Sequence, residues 1–349
     1  MDGSYTLVVS GGCESPLDPS HHGEGFEKMK RRQFLRCAAA LSSMTALPQA
    51  WGEAGAPEIA FTFDDPGADG AAVLSWQQRN ERILAALAKH EVRSGLFVCG
   101  KRVNDDVGRQ LVASWDRAGH LIANHSYSHF NFNQSANTDS DEDKKVTLSE
   151  FEDDALKNEP IIRGYRHFAR LFRYPYFKEG DTVEKRDGMR SFLQEHGYRI
   201  GRATIDASDW AISERLEKRA EAERQRRGDF ISYRNFFLEH IWERAQFYDS
   251  LSQRVLGRPV RHTVLLHHNL LNALYLDDLI AMFLAKGWKP IDAEWAYRDP
   301  AYDRQPKTLP AGESLIWALA KESGKFEKEL RYPAESDVYE NPKMDALKL

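Results

Sequence analysis

Three cysteines in 349 residues leave little room for a disulfide framework. Cys13 and Cys37 precede the point where a leader would be cut, so Cys99 stands alone in the remaining chain. Long apolar runs are also missing: no stretch reaches the roughly 18–20 residues that a membrane-spanning helix needs. Charge of one sign is scarce as well, because 48 Lys and Arg mix with 53 Asp and Glu for a net charge of -5. With no basic stripe, nucleic acid is not an expected partner. No internal repeat is evident. What is present, 42% hydrophobic and 29% charged residues, is ordinary for a globular protein of one large domain or two smaller ones.

The N-terminal region divides in two. Residues 1–28 show no pattern that argues for folding and read as a non-native or disordered extension ahead of a start at Met29. Residues 29–56 place Arg31-Arg32 before Phe34-Leu35, an Ala-rich stretch and the small residues Ala54-Gly55-Ala56. This is similar to a twin-arginine export signal with its cleavage site, and implies a periplasmic or extracellular location. Around Cys37 the small residues of a lipid-anchor site are absent, so no anchor is expected.

From residue 58 onward short apolar runs alternate with helical patterns. Strands are expected at Glu58–Phe63, Ser94–Cys99, His120–Asn124, Leu171–Tyr174, Arg199–Ile205 and Thr263–Leu266. Helices are expected near 74–89, 105–118, 148–163, 183–196 and 270–286. The alternation predicts an α/β fold of parallel strands with helices outside, as a barrel or a doubly wound sheet, with functional residues at the C-terminal strand ends. Residues 131–145 read as a polar loop ending at Thr147, where Thr-Leu-Ser-Glu forms a capping box. Residues 213–257 form a helical insertion, with Tyr233, Phe237, Ile241, Tyr248 and Leu251 spaced to pack against the domain. Residues 57–297 then make the catalytic domain, and 298–349 a polar C-terminal extension with one short helix at 312–322.

The first strand, Ile59-Ala60-Phe61-Thr62-Phe63, ends on two adjacent acids, Asp64 and Asp65. Neighbouring carboxylates repel and are costly to desolvate, so an isolated pair would be read as a turn. A second motif changes that reading. His125 and His129, four apart after a buried-strand pattern, would share a face if the turn between them is helical. Together with Asp65 they make a His-His-Asp set with open positions, the pattern of a catalytic metal site. One carboxylate then binds a cation that offsets the repulsion, and Asp64 is left as a base acting on a water acidified by that cation. Arg173 in Phe-Arg-Tyr-Pro-Tyr-Phe could hold Asp64 ionised, while Pro175 shapes the turn before the Tyr176 amide. Asp206, Asp209 and Trp210 follow one later strand, and His267 and His268 another.

In this order, T-F-D-D, H-S-x-x-H, R-x-P-Y, D-x-x-D-W and L-L-H resemble the five motifs of the NodB-homology polysaccharide deacetylases, carbohydrate esterase family 4. The resemblance spans residues 58–292. It implies a distorted (β/α) barrel and metal-dependent removal of acetyl groups from N-acetylated polysaccharides or oligosaccharides. It further implies Asp64 as general base, Asp65, His125 and His129 as metal ligands, and Arg173 as the residue positioning the base. The Tyr176 amide would stabilise the oxyanion, His267 would be the general acid tuned by Asp209, and Trp210 and Leu265 would line the acetyl pocket. The cofactor is expected to be Zn²⁺, with Co²⁺ or Mn²⁺ as alternatives, because two imidazoles and a carboxylate suit several divalent ions.

Three motifs depart from the family pattern. Asp65-Pro66-Gly67 replaces D-G-P, Tyr174 brings an aromatic to the cleft, and His268 follows His267, so either histidine could be the acid. Two alternatives are a metal-dependent amidase or cyclic imide hydrolase of the same superfamily, and a non-catalytic glycan-binding protein. The expected partner is an acetylated glycan; the oligomeric state is not indicated.

Overall fold

The structure, a computed structural model, describes residues 55–69, 73–133, 145–222, 230–334 and 336–349. The upstream extension and the expected leader up to residue 54 lie outside these residues, as does most of the 131–145 loop. The chain begins with β1 (Glu58–Asp64), α1 (Trp76–Lys89), β2 (Gly95–Val98), α2 (Gly100–Val103), α3 (Asp106–Arg117) and β3 (Leu121–Asn124). It continues through α4 (Leu148–Ile162), β4 (Phe168–Phe172), a 3₁₀ turn at Pro175–Phe177, β5 (Lys178–Gly180), α5 (Val183–Glu195), β6 (Arg199–Ile200) and β7 (Ile205–Asp206). Next come α6 (Asp209–Ala222), α7 (Ile231–Leu256), β8 (Arg261–His267), α8 (Leu270–Ala285), β9 (Lys289–Pro290) and α9 (Ala293–Ala296). The tail adds β10 (Ala311–Gly312), α10 (Leu315–Ser323) and α11 (Glu340–Leu347). Among the described residues no helix is long and apolar enough to cross a membrane.

Eight strands form one parallel sheet in the order β6-β4-β3-β2-β1-β8-β7, with β9 beside the start of β1. Alternation along β1 divides its residues between two sides. Phe61 and Phe63 pack with Val264 and Leu266 of β8 under helices α1, α7 and α8, in the largest apolar cluster. Thr62, Leu265 and Phe97 take the interior instead, where Phe97 packs with Tyr297 and Tyr302 from the chain beyond α9. The result is the expected α/β architecture, a distorted (β/α) barrel.

The expected single strand over 199–205 is corrected to two pieces. β6 pairs with β4, whereas β7 pairs with β8 at the opposite edge, and only residues 201–204 separate them. This short crossing joins the two ends of the curled sheet. Carbonyls freed from the ladder are used: Gly201 O accepts from Arg173 Nε at 2.8 Å, and Ala203 O accepts from the Leu315 amide at 2.9 Å. Arg202, in the same crossing, is buried in a fork-to-fork pair with Glu179, both contacts 2.7 Å.

Other boundaries follow local chemistry. Thr147 and Glu150 form the expected capping box at α4, and Ser75 with Gln78 forms another at α1. The strand expected at 171–174 starts three residues and ends two residues earlier, because Arg173 and Tyr174 already lead into the 3₁₀ turn. The insertion starts inside α6, and Tyr233, Phe237, Ile241, Tyr248 and Leu251 are all buried, as their spacing indicated. The tail holds more than the one helix expected of it: β10 pairs antiparallel with β5, and Glu340 of α11 is buried against Arg244 and His240 of α7.

Candidate active site

Asp64 is the last residue of β1 and lies opposite His267, the last residue of β8. Paired positions of parallel strands share a face, so register alone brings the two side chains to the same end of the barrel. Asp64 Oδ1 accepts from Arg173 Nη1 at 2.6 Å. Burial pushes the Asp64 carboxyl up to about 6, although Arg173 and His267 pull it down.

Arg173 is itself 1% exposed and fully engaged. Besides Asp64 and Gly201 O, it donates through Nη2 to Thr62 Oγ1 at 3.0 Å and to the Tyr297 hydroxyl at 2.9 Å. Its guanidinium carbon lies 3.8 Å from the Phe97 ring centroid, a cation–π contact across the barrel interior. With one arm of a planar fork on each partner, Asp64 has a single orientation.

Asp65, His125 and His129 bring one ligand atom each to within 4.8 Å of one another. The expected helical turn between the histidines is not there. Residues 125–129 form an irregular turn in which Ser126 and His129 have φ of 60° and 61°. Side chains fix it: Asp154 accepts from the Tyr127 and Ser128 amides, and Ser126 Oγ from the His129 amide. The imidazoles converge through this turn, with ring centroids 5.0 Å apart.

His125 Nδ1 lies 2.9 Å from the Arg173 carbonyl, and burial drives the ring down to about 3. The neutral ring must therefore donate from Nδ1, leaving an Nε2 lone pair aimed inward, 3.5 Å from Asp64 Oδ2. Asp65 Oδ2 lies 3.2 Å from His129 Nε2, and its buried Oδ1 makes no hydrogen bond, its one near cation being Arg102 Nε at 3.3 Å. Burial raises the Asp65 carboxyl, but His129, His125 and Arg102 together outweigh it and hold it well below its usual range. Two imidazole nitrogens and a carboxylate converging within 4.8 Å fit a divalent cation with nitrogen and oxygen ligands, backed by the carbonyl that orients His125.

The two adjacent histidines of the β8 end separate cleanly. His267 Nδ1 lies 2.7 Å from Asp209 Oδ1, and its amide donates to Asp209 Oδ2 at 3.0 Å. Asp209 also accepts from the Asn269 and Asn272 side chains at 2.9 and 2.6 Å. Burial opposes its charge, yet His267 and these donors hold its carboxyl below the ordinary value. His268 points to the other side of the sheet, against Trp115 at 6.1 Å between ring centroids. Burial pushes it down to about 3, so it stays neutral and out of the site.

These groups surround a cavity of about 300 Å³ lined by Asp64, Asp65, His125, His129, Trp210 and His267, with Arg102, Tyr174, Tyr176 and Phe177. Leu265, expected in the wall, is buried in a cluster with Phe177, Ala203 and Ala334, and of these Phe177 lines the cavity. Tyr174 reaches the cavity but is chiefly a core residue, stacked 5.9 Å from Phe151. Asp206 accepts from the Ser208 amide at 3.1 Å and shapes the turn ahead of Asp209. Tyr176 sits in the 3₁₀ turn with φ 55°, its ring 4.6 Å from His129. Apart from His267, no described residue of 213–349 lines the cavity, so the described parts of the insertion and the tail do not wall it. A wider cleft of about 660 Å³ lies between α5 and residues 302–307. There Arg186 and Arg190 already donate to the Lys307 and Pro306 carbonyls, and no convergent set of ligands is left.

Arg102 and Tyr297 belong to the site and were not expected. Arg102 Nε lies 3.3 Å from Asp65 Oδ1, and its signal was its place just beyond the β2 strand end. Tyr297 had no local signal, since its hydroxyl meets Arg173 only through the barrel interior.

The family model for polysaccharide deacetylase matches residues 52–201, a segment that holds Asp64, Asp65, His125, His129, Arg173 and Tyr176 and ends before Asp209 and His267. A peptidoglycan-N-acetylglucosamine deacetylase of Bacillus cereus is 29% identical over 154 residues, 44% of this chain and 46% of that protein, so the match spans about half the relative's length. Among solved structures, a family 4 carbohydrate esterase pseudoenzyme of Bacillus anthracis aligns at TM-score 0.47 and 18% identity, over 70% of this chain and 66% of that one. A family 4 carbohydrate esterase from Streptomyces lividans, in complex with acetate, aligns at TM-score 0.43 and 19% identity, over 67% and 91%. Through residues 52–201, the chain is similar to the polysaccharide deacetylase family.

Proposed function

We propose that the site hydrolyses the acetamide of an N-acetylated glycan, releasing acetate and a free amine. The observation that carries this reading is the facing of Asp64 and His267 across paired strands, with the Asp65, His125 and His129 set beside them. A divalent ion on that set would supply an acidified water and positive charge for the acetyl oxygen. Zn²⁺ suits two imidazoles and a carboxylate, with Co²⁺ and Mn²⁺ as alternatives.

Asp64, raised by burial toward neutral pH and oriented by Arg173, takes the proton of the attacking water. The Tyr176 amide donates to the oxygen as it gains charge. His267 then protonates the leaving nitrogen from Nε2, because Asp209 holds Nδ1–H. The C–N bond breaks, the new C–O bond remains in acetate, and the proton from Asp64 returns to solvent. Trp210 and Phe177 offer the apolar surface for the acetyl methyl. The signal-like stretch 29–56 would place this activity outside the cytoplasm, which fractionation of cells producing the full chain would check.

The test is acetate release by the purified chain from peptidoglycan, chitin oligomers and acetylated exopolysaccharides, before and after chelation. Release that chelation abolishes and added Zn²⁺, Co²⁺ or Mn²⁺ restores is expected. Bound metal with no acetate from any of these glycans would overturn the reading.

A further inference from the structure

The turn that carries Tyr176 is not self-supporting. Tyr176 and Phe177 are consecutive residues with side chains and φ of 55° and 53°, a left-handed pair that local sequence does not favour. Within the turn, the Phe177 amide donates to Tyr174 O at 3.1 Å. The Lys178 amide donates to Pro175 O. The contacts that tie the turn to the rest of the fold, described next, come from more than 40 residues away in either direction along the chain. The Glu313 amide donates to Phe177 O at 3.2 Å, and β10 pairs with β5 directly behind the turn. Gly312, at φ 135°, lies so close that a Cβ there would overlap the Phe177 carbonyl oxygen. Asn133 bridges the same two strands: its Nδ2 donates to Ala311 O at 2.8 Å, and its Oδ1 accepts from the Gly180 amide at 2.6 Å. Glu313 is anchored in turn by the Lys178 ammonium at 3.6 Å and by the Ala334 amide, and the Leu315 amide holds Ala203 O at the barrel crossing.

We propose that the C-terminal extension, through Gly312 and Glu313, positions the Tyr176–Phe177 turn and so is part of the catalytic apparatus. Gly312 and Glu313 touch neither substrate nor metal ligands; they are positioning residues. Their role rests on the proposed deacetylation, in which the Tyr176 amide meets the developing oxyanion. The extension then accounts for a rate that depends on residues well outside the segment matched by the family.

The experiment compares Gly312→Ala and Asn133→Ala with the parent chain, each loaded with Zn²⁺. Amide hydrogen exchange at Tyr176 and Phe177 is read by NMR, with Phe63 and Val98 in β1 and β2 as controls. Exchange at the turn is expected to quicken about tenfold in both variants while the controls hold. On a substrate the parent turns over, kcat is expected to fall about 10- to 100-fold with KM and Zn²⁺ affinity within about twofold. Asn133→Ala removes only a side-chain bridge, so it keeps the test open should Gly312→Ala not fold. Unchanged exchange at the turn in a folded variant, or unchanged kcat despite quickened exchange, would overturn the proposal. A parent that releases no acetate while the exchange pattern appears would instead overturn the proposed function and leave the clamp standing.

Discussion

Replacing Arg173 with lysine keeps the charge and removes the fork, which makes it a sharp probe of the barrel interior. Arg173 reaches four partners in different directions: Gly201 O at 2.8 Å, Asp64 at 2.6 Å, Thr62 at 3.0 Å and Tyr297 at 2.9 Å. An ammonium is a point donor and cannot span from the barrel crossing to the β1 end. If it follows the carboxylate, Gly201 O keeps only the 3.4 Å contact from the Tyr297 hydroxyl, and at least one buried hydroxyl loses its donor. Each such loss costs about 1–3 kcal/mol, so the variant is expected to be about 4 kcal/mol less stable. Urea unfolding followed by tryptophan fluorescence reads this as a lower midpoint at unchanged slope. Turnover should fall about 100-fold as Asp64 gains rotational freedom, because small misplacements of a base are that costly. A stability loss under about 1 kcal/mol, with turnover intact, would refute the reasoning that the fork fixes the base.

Other expectations follow from the same geometry. Asp209→Asn should cut kcat about 10²- to 10⁴-fold while Zn²⁺ content by atomic absorption stays at the parent level, since it disturbs the His267 tautomer and no metal ligand. His120 is buried, accepts from the Ser94 amide at 3.0 Å, and is pushed down to about 4 by burial. Its unfolded-state value is near 6.5, so its contribution is full above that pH and is lost as pH falls from 6.5 toward 4, about 1.4 kcal/mol per pH unit. Acid titration of stability should therefore be shallower in His120→Gln, and an unchanged slope would show that His120 is not the titrating group. Zn²⁺ at about 100 times its Kd should stabilise the parent by about 2.7 kcal/mol in the same urea assay, and His129→Ala should lose that increment.

The parts of the site written in local pattern were legible in the sequence. β1 is an apolar run with Phe61 and Phe63 flanking Thr62, and it stops at the acid pair Asp64-Asp65, so both its position and the chemistry at its end could be read. The His125 and His129 pairing was legible as a spacing, but not its geometry. An i, i+4 interval suggests a helix, whereas Asp154, from outside that interval, and Ser126, within it, hold the segment in an irregular turn. The 199–205 run is apolar enough for one strand; its break depends on Gly201 O serving Arg173 and Ala203 O serving Leu315, partners that no local pattern contains. Leu265 was misplaced by sharing the His267 strand, since alternation alone does not say how far down the barrel a side chain sits. Tyr297, β5 and β10 were missed because two or three residues stabilised by distant chain carry no periodicity.

The central claim is that Asp64 and His267 act as base and acid on either side of one metal set. The most direct measurement is acetate release and Zn²⁺ content of Asp64→Asn and His267→Gln, side by side with the parent on a glycan that the parent deacetylates. The account predicts full Zn²⁺ content in both variants, with turnover lower by about 10²-fold or more. Turnover near the parent rate in either variant at full Zn²⁺ content would contradict it.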